Sequence, residues 1–331
     1  MKAIFLSDVT IKLEIVYGED VKEEIAKNIT LNRSYLKKAD ILTGLYKDTD
    51  TIFSTWGMPS FTKEEIQEFL PNLKCIFYGA GTVQGFARPF LELGIKVFSG
   101  WGANGVPVAE FTVAQILLAN KGYFLSALHM SRGELELSKK YSTGIVGNFN
   151  AEIGIIGAGM IGKLVINKLR DYRLNVKVFD PFLSDEDALR LGVKKVSLEE
   201  LFATCNVVSN HLANNEETKG MLNYPLFASM AEGATFINTG RGAQVVEEDL
   251  CKVLKERKDL SALLDVTHPE PPKEGHPFYG LDNCFLSPHI AGSLGNEALR
   301  LGEYMRDEFL AYINSKETKF EVTLKMLETM A

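Results

Sequence analysis

The chain has 331 residues, 46% of them hydrophobic and 24% charged, and that length is more than one hydrophobic core usually serves, so two domains are expected. A formal charge of -7 with no long Lys/Arg cluster argues against nucleic acid or an anionic membrane surface as the main partner and points to a small molecule. No apolar run approaches membrane-spanning length.

The opening MKAIFLSD has too short an apolar run for a signal-peptide core. Cys75, Cys205, Cys251 and Cys284 are scattered without CxxC spacing, which favours free, buried thiols and a cytoplasmic location. Along the first hundred residues the runs KAIFLSD, DTIFST, LKCIFYG and IKVFS alternate with helical patterns such as FTKEEIQEFL. That alternation predicts a parallel sheet with crossover helices. From Asn104, read as an N-cap, VPVAEFTVAQILLAN is apolar enough for a buried helix. A polar, extended segment is expected through Ser142 and Gly147.

The alternation then restarts. EIGIIG, NVKVFD, CNVVSNH, ATFINTG, LSALLDV and CFLS read as strands, and GMIGKLVINKLRDY, NYPLFASM and VVEEDLCKVLKERK as helices. The last long helix, LGNEALRLGEYMRDEFLAYINS, carries Leu301, Met305 and Tyr312 on one stripe and is expected to return the chain to the first domain, with Phe320 to Met330 adding apolar residues for burial. The expected fold is α/β: two Rossmann/flavodoxin-like domains with parallel sheets, the larger (103–296) inserted into the smaller (1–102 and 297–331).

Gly157, Gly159 and Gly162 form GxGxxG directly after an apolar strand and at the opening of a helix. The first glycine permits a tight turn, the second lets backbone approach a pyrophosphate, and the third lets helix pack on strand, while amides at Met160 and Ile161 face the anion. NVKVFD then ends in Asp180, at the spacing of an acid that binds the adenosine ribose. Its carboxylate repels a 2′-phosphate and neither Pro181 nor Phe182 offers a cation, so NAD(H) is expected over NADP(H).

Three further segments end strands: FINTGRG with Thr239, Gly240 and Arg241, LLDVTHPEP with Asp265 and Glu270, and FLSPHIAGS with His289. In an open parallel sheet these ends line the dinucleotide crevice. Together with GAG at Gly79 to Gly81, VAEFTVAQILL from Val108, GIIGAGMIGK and INTGRGAQVVEEDL, in this order, they resemble the D-isomer-specific 2-hydroxyacid dehydrogenases, including glyoxylate/hydroxypyruvate reductases.

The resemblance implies an NAD-dependent oxidoreductase acting on a small 2-keto/2-hydroxy acid. His289 matches the catalytic acid/base, Glu270 its carboxylate partner, and Arg241 the arginine on the substrate carboxylate and keto oxygen. The amides of Ala80 and Gly81 match a loop that grips the carboxylate, and Asp265 an acid near the nicotinamide. Thr239 and Gly240 join the cofactor contacts; Trp56, beside a predicted loop, is placed with the substrate contacts, and whether it, Tyr78 and Trp101 line the pocket or the core stays open. His211 matches a histidine beside the cofactor loop and reads as structural, as do His129, His268 and His276. No metal is expected. A homodimer through Ala127 to Asn148 is implied by resemblance alone. The alternative in the same architecture is an NAD(H)-sensing corepressor with little turnover. TIFSTWGMPSFT carries no Lys or Arg between Lys47 and Lys63, which disfavours a phosphorylated substrate. Glu270, an acid where formate dehydrogenases have an amide, argues against that branch.

Overall fold

The structure, a computed structural model, describes residues 1–328. Strands β1 (Lys2–Leu6), β2 (Thr30–Leu36), β3 (Thr51–Ser54), β4 (Cys75–Tyr78) and β5 (Lys96–Ser99) come first. They are followed by β6 (Glu152–Ile156), β7 (Asn175–Phe179), β8 (Lys194–Lys195), β9 (Val207–Asn210), β10 (Thr235–Asn238), β11 (Ser261–Leu264) and β12 (Cys284–Leu286), and finally by β13 (Glu321–Val322). Most of the central strands are short, β-branched or aromatic, and buried on both faces, as strands of a sheet covered by helices on both sides must be.

The chain forms an α/β fold with two mostly parallel sheets, ordered β13-β5-β4-β3-β1-β2 and β12-β11-β10-β9-β6-β7-β8. Among the described residues only β13 pairs antiparallel, with β5. The first sheet has flavodoxin-like order and switches direction between β1 and β3; the second has Rossmann order and switches between β6 and β9. Two compact units divide the chain, Met1–Asn104 with the segment from Ser293 onward, and Gly105–Gly292.

In the first unit, Phe5, Phe53, Phe77 and Phe98 lie side by side in register across four strands. Phe77 and Phe98 stack with centroids 4.7 Å apart, and Phe309 from the helix Glu297–Ile313 meets Phe53 and Phe77 edge-on. That helix buries Leu301, Met305 and Phe309 while Tyr312 packs at the margin. Gly302 is required there because a Cβ would lie 2.2 Å from the Val16 carbonyl oxygen. In the second unit Ile153, Ile155, Val178, Val207, Ile237 and Leu263 build one side of the core, and Phe202, Phe227 and Phe236 centre the other.

Several expectations need correction. The long apolar helix runs Trp101–Ala119, so Asn104 lies inside it and caps nothing. Its Oδ1 instead accepts a hydrogen bond from the Ser293 amide at 3.0 Å, a use that no local pattern signals. The segment expected to be extended is helical as far as Ser142 and extended only from Thr143: helices Tyr123–Ser131 and Leu135–Ser142 pair there through Ser126–Ser138, His129–Glu134 at 2.5 Å and the stacking of His129 on Tyr141. These contacts are tertiary and leave little periodicity to read. Strand β2 escaped detection because it is an edge strand with the polar stretch Asn32–Arg33–Ser34.

All four cysteines are buried and free, and burial pushes the thiols of Cys75, Cys205 and Cys251 up to about 11, with Cys284 raised further. Among the described residues no helix is long and apolar enough to cross a membrane, and no cluster of His, Cys, Asp and Glu is set to hold a metal. Phe320 packs on Trp101 and Leu327 is buried, whereas Met330 lies outside the described residues.

Candidate active site

The dinucleotide loop sits at the switch point between β6 and β9. Gly157 has φ +88°, and a Cβ there would approach the His211 carbonyl oxygen to 2.9 Å. Gly162 presses the helix Met160–Leu169 onto the loop so closely that a Cβ would lie 2.0 Å from Gly157 O. Gly159 faces open space, with nothing within 4 Å of the position a Cβ would take. Two glycines are thus consumed by packing and the third leaves a cradle over first-turn amides at Met160 and Ile161, which have no acceptor within the helix. The arrangement fits a pyrophosphate. Asp180, one residue beyond β7, accepts the Ala158 amide through Oδ2 (2.7 Å) and the Phe182 amide through Oδ1 (2.8 Å), so it braces the loop and keeps lone pairs for a ribose.

Buried amides shape the TGRG turn after β10. Asn210 Nδ2 donates to Asn238 Oδ1 (3.0 Å) and Gln244 Oε1 (2.6 Å), and Gln244 Nε2 donates to the Leu212 and Ala213 carbonyls. Asn238 also receives the Gly240 amide at 3.1 Å and donates to the Arg241 carbonyl. The Thr239 hydroxyl pairs with that of Thr112. Among the described residues the Arg241 guanidinium makes one hydrogen bond, from Nη1 to the Gly240 carbonyl at 2.8 Å, while the Arg241 amide donates to Gln244 Oε1 at 3.3 Å. Burial draws its pKa down from the ordinary guanidinium value, and the nearby charge of Glu270 opposes that shift.

His289 and Glu270 meet: Nδ1 lies 2.6 Å from Oε1. The histidine adopts a left-handed backbone, φ +54°, which costs a non-glycine residue about 1–2 kcal/mol. Asp265 holds that conformation. Its carboxylate accepts from Ser287 Oγ (2.5 Å) and the amides of Ile290 (2.9 Å) and Ala291 (2.8 Å), and its carbonyl accepts the His289 amide (3.0 Å). Sequence matching placed Asp265 near the nicotinamide; in the fold most of its acceptor capacity serves the histidine loop.

The other histidines are occupied elsewhere. His211 is driven down to about 4 by burial, stays neutral, and hydrogen-bonds Ser209 at 3.0 Å. His276 faces Glu247, and the His268 side chain is exposed.

The first-unit residues that the sequence marks as candidates for substrate contact lie at the carboxyl edge of its sheet. Ala80 is buried and its amide turns back to the Tyr78 carbonyl (2.9 Å), while Gly81 keeps a free amide among the described residues. Trp56, after β3, has its carbonyl held by Ser7 Oγ (2.8 Å), and Lys12 Nζ stands 5.6 Å from its ring centroid. Lys12 is a cation that counting between Lys47 and Lys63 missed, because it comes from a different element. Tyr78 is a core residue against Phe86, its hydroxyl pushed up to about 12 by burial, and Trp101 packs edge-on against Phe320. Sequence reasoning also missed Asn210, Asn238, Gln244 and Glu247; their alternation with apolar residues at strand and helix ends was the only signal.

Residues 113–291 match the model of the NAD-binding domain of the D-isomer specific 2-hydroxyacid dehydrogenases. A D-3-phosphoglycerate dehydrogenase of Haemophilus influenzae is 31% identical over 299 residues, 87% of this chain and 70% of that one. The enzyme of the same name from Archaeoglobus fulgidus is 29% identical over 265 residues, 80% of this chain and 50% of that one. The chain thus spans about half the length of some curated relatives it matches. The D-mandelate dehydrogenase of Rhodotorula graminis superposes with a TM-score of 0.79 at 18% identity, covering 97% of each chain, a likeness of fold. The chain belongs to the D-isomer-specific 2-hydroxyacid dehydrogenase family, and NAD(H) is the cofactor of its matched domain.

Gly157→Ala combines a left-handed φ with a backbone clash, so NADH affinity, followed by fluorescence titration, is expected to fall at least about tenfold. Gly192→Ala carries a similar φ of +70° but open surroundings and should bind NADH as before.

Proposed function

We propose that the chain is an NAD-dependent D-2-hydroxyacid dehydrogenase that interconverts a small 2-keto acid and its 2-hydroxy acid, with 105–292 as the cofactor domain and the remainder binding substrate. The observation that carries the reading is the 2.6 Å contact of His289 with Glu270 at a carboxyl edge shared with the GxGxxG cradle and Arg241. NADH supplies the hydride. Glu270 takes the Nδ1 side of the imidazole, leaving Nε2 to give its proton to the carbonyl oxygen during reduction and to accept it back during oxidation. Arg241 presents a planar cationic fork to the substrate carboxylate and polarises the carbonyl. Ala80 and Gly81 are assigned to the substrate carboxylate, for which the free amide of Gly81 is the better donor, and Trp56 to the substrate's side group.

Two further assignments go with this reading. Four free, buried thiols favour a reducing compartment, the cytoplasm. The exposed Tyr123, Met130, Leu135, Ile145 and Val146, in and beside 127–148, favour that segment as a homodimer contact.

NADH oxidation with a panel of glyoxylate, hydroxypyruvate, pyruvate and larger branched or aromatic 2-keto acids tests the activity. At least one should turn over stereospecifically, and uniform silence would overturn the proposal. Phosphohydroxypyruvate should be a poor substrate, because Lys12 already stands over an indole and Lys38, beside Ser60 and Phe61, is already paired with Glu65, which leaves too little for a dianion. Turnover of that compound above the keto acids with uncharged side groups would refute the assignment of the side-group site.

For the acid pair, Glu270→Gln is expected to lower kcat/KM for reduction by about tenfold to a hundredfold with NADH affinity retained. His268→Asn should leave the rate in place. Equal effects of the two would mean that the wrong residue of the THPEP loop was chosen.

Cofactor choice is a separate measurement. NADH should exceed NADPH in catalytic efficiency, and Asp180→Ala should narrow the ratio by removing both the ribose partner and the repulsion of a 2′-phosphate. A higher efficiency with NADPH in the unaltered protein would refute this role of Asp180.

A further inference from the structure

The loop that carries Glu270 reads His268-Pro269-Glu270-Pro271-Pro272, and three of those five residues have no backbone N–H to donate. Such a segment cannot hold itself by backbone hydrogen bonds. It has to be anchored from outside, and the anchors are few: Thr267 Oγ1 on the Pro269 carbonyl (3.0 Å), Tyr279 on the Pro272 carbonyl (3.2 Å), and Glu247.

Glu247 opens the helix Glu247–Glu256, yet its side chain turns inward and is only 8% exposed. Its Oε1 accepts the His268 amide at 2.7 Å, and its Oε2 lies 3.3 Å from His276 Nε2. The ring's tautomer follows from its other nitrogen, because Nδ1 accepts the Phe278 amide at 3.3 Å. The proton of the neutral ring therefore sits on Nε2, which stands at ion-pair distance from Glu247 without forming an aligned hydrogen bond. One buried carboxylate thus ties the start of the loop to its far end.

A second restraint lies beside it. A Cβ on Gly242 would come within 2.0 Å of the Thr267 carbonyl carbon, so the start of the THPEP loop rests flush on the residue after Arg241. With Glu247 five residues further along the same turn and helix, the segment that presents Arg241 also fixes the segment that presents Glu270.

We propose that Glu247 is a positioning residue for catalysis: by clamping His268 and His276 it sets the placement of Glu270 against His289. The proposal rests on the reading of Glu270 given above. Glu247 touches neither reacting atoms nor Glu270 and acts through the loop. A displacement of about 1 Å at a catalytic group costs on the order of a hundredfold in rate, which is the scale on which such a clamp matters.

The test is a mutant cycle in the full chain, read by reduction kinetics with a keto acid that the wild type turns over, by NADH titration, and by hydrogen exchange of peptides covering 267–278. Glu247→Ala should lower kcat by about tenfold or more while NADH affinity holds, and should speed exchange in the loop. Glu247→Gln keeps an acceptor for the His268 amide and should recover most of the rate. The double variant Glu247→Ala/Glu270→Gln should be no slower than Glu270→Gln alone, since the clamp has nothing left to position. His276→Phe, which removes one arm only, should give a smaller fall in the same direction and serves if Glu247→Ala does not fold.

Unchanged exchange in Glu247→Ala overturns the clamp. Multiplicative losses in the double variant overturn its action through Glu270. A silent Glu270→Gln beside a loosened loop instead refutes the assignment of Glu270 and with it any positioning role, so the two failures are told apart.

Discussion

Asp265 is 2% exposed, and a carboxyl group so placed is tolerable only if its oxygens are filled with hydrogen bonds. They are filled by Ser287, Ile290 and Ala291, the residues on either side of His289, while the backbone of Asp265 receives the His289 amide. The desolvation of one acid thus dictates the path of the histidine loop. The same bonds hold His289 in a backbone conformation that side chains ordinarily avoid, which turns its ring towards Glu270. Without this constraint β12 would end in an ordinary surface loop.

A comparable economy governs the neighbouring turns. Asn210, Asn238 and Gln244 satisfy one another and the carbonyls around them, so the TGRG turn is a closed polar network rather than a flexible connection. Its rigidity leaves Arg241 as the group with donors to spare. The two loops then stack through Gly242, where only hydrogen fits. Precision in this unit comes from buried polar side chains at strand ends, and the apolar cores beneath supply the support.

The strands of both sheets were legible in the sequence because most are short buried runs of β-branched and aromatic residues, and the GxGxxG loop because each glycine has a separate steric task. Strand β2 was not, since an edge strand exposes one side and takes polar residues. The helical hairpin around His129 was hidden for a different reason: its stabilising contacts join side chains of two helices and leave no repeat within either. Among the site residues, Arg241, Glu270 and His289 stood out through ordered motifs. Glu247, Asn210 and Asn238 did not, because each depends on a partner 21 to 34 positions away. Lys12 over Trp56 is of the same kind, a neighbour made by topology.

The cysteines have a practical side. All four are buried, Cys251 in the wall of an open pocket with Glu248 and Lys252, and burial holds each thiol in its protonated, poorly nucleophilic form near neutral pH. Alkylating reagents and maleimide dyes have no reactive native target while the chain is folded. Two cysteines introduced at exposed positions would therefore take spectroscopic labels alone, with no need to strip the native four from the core, and the motions of the histidine and THPEP loops become open to distance measurement between them in the otherwise unaltered protein.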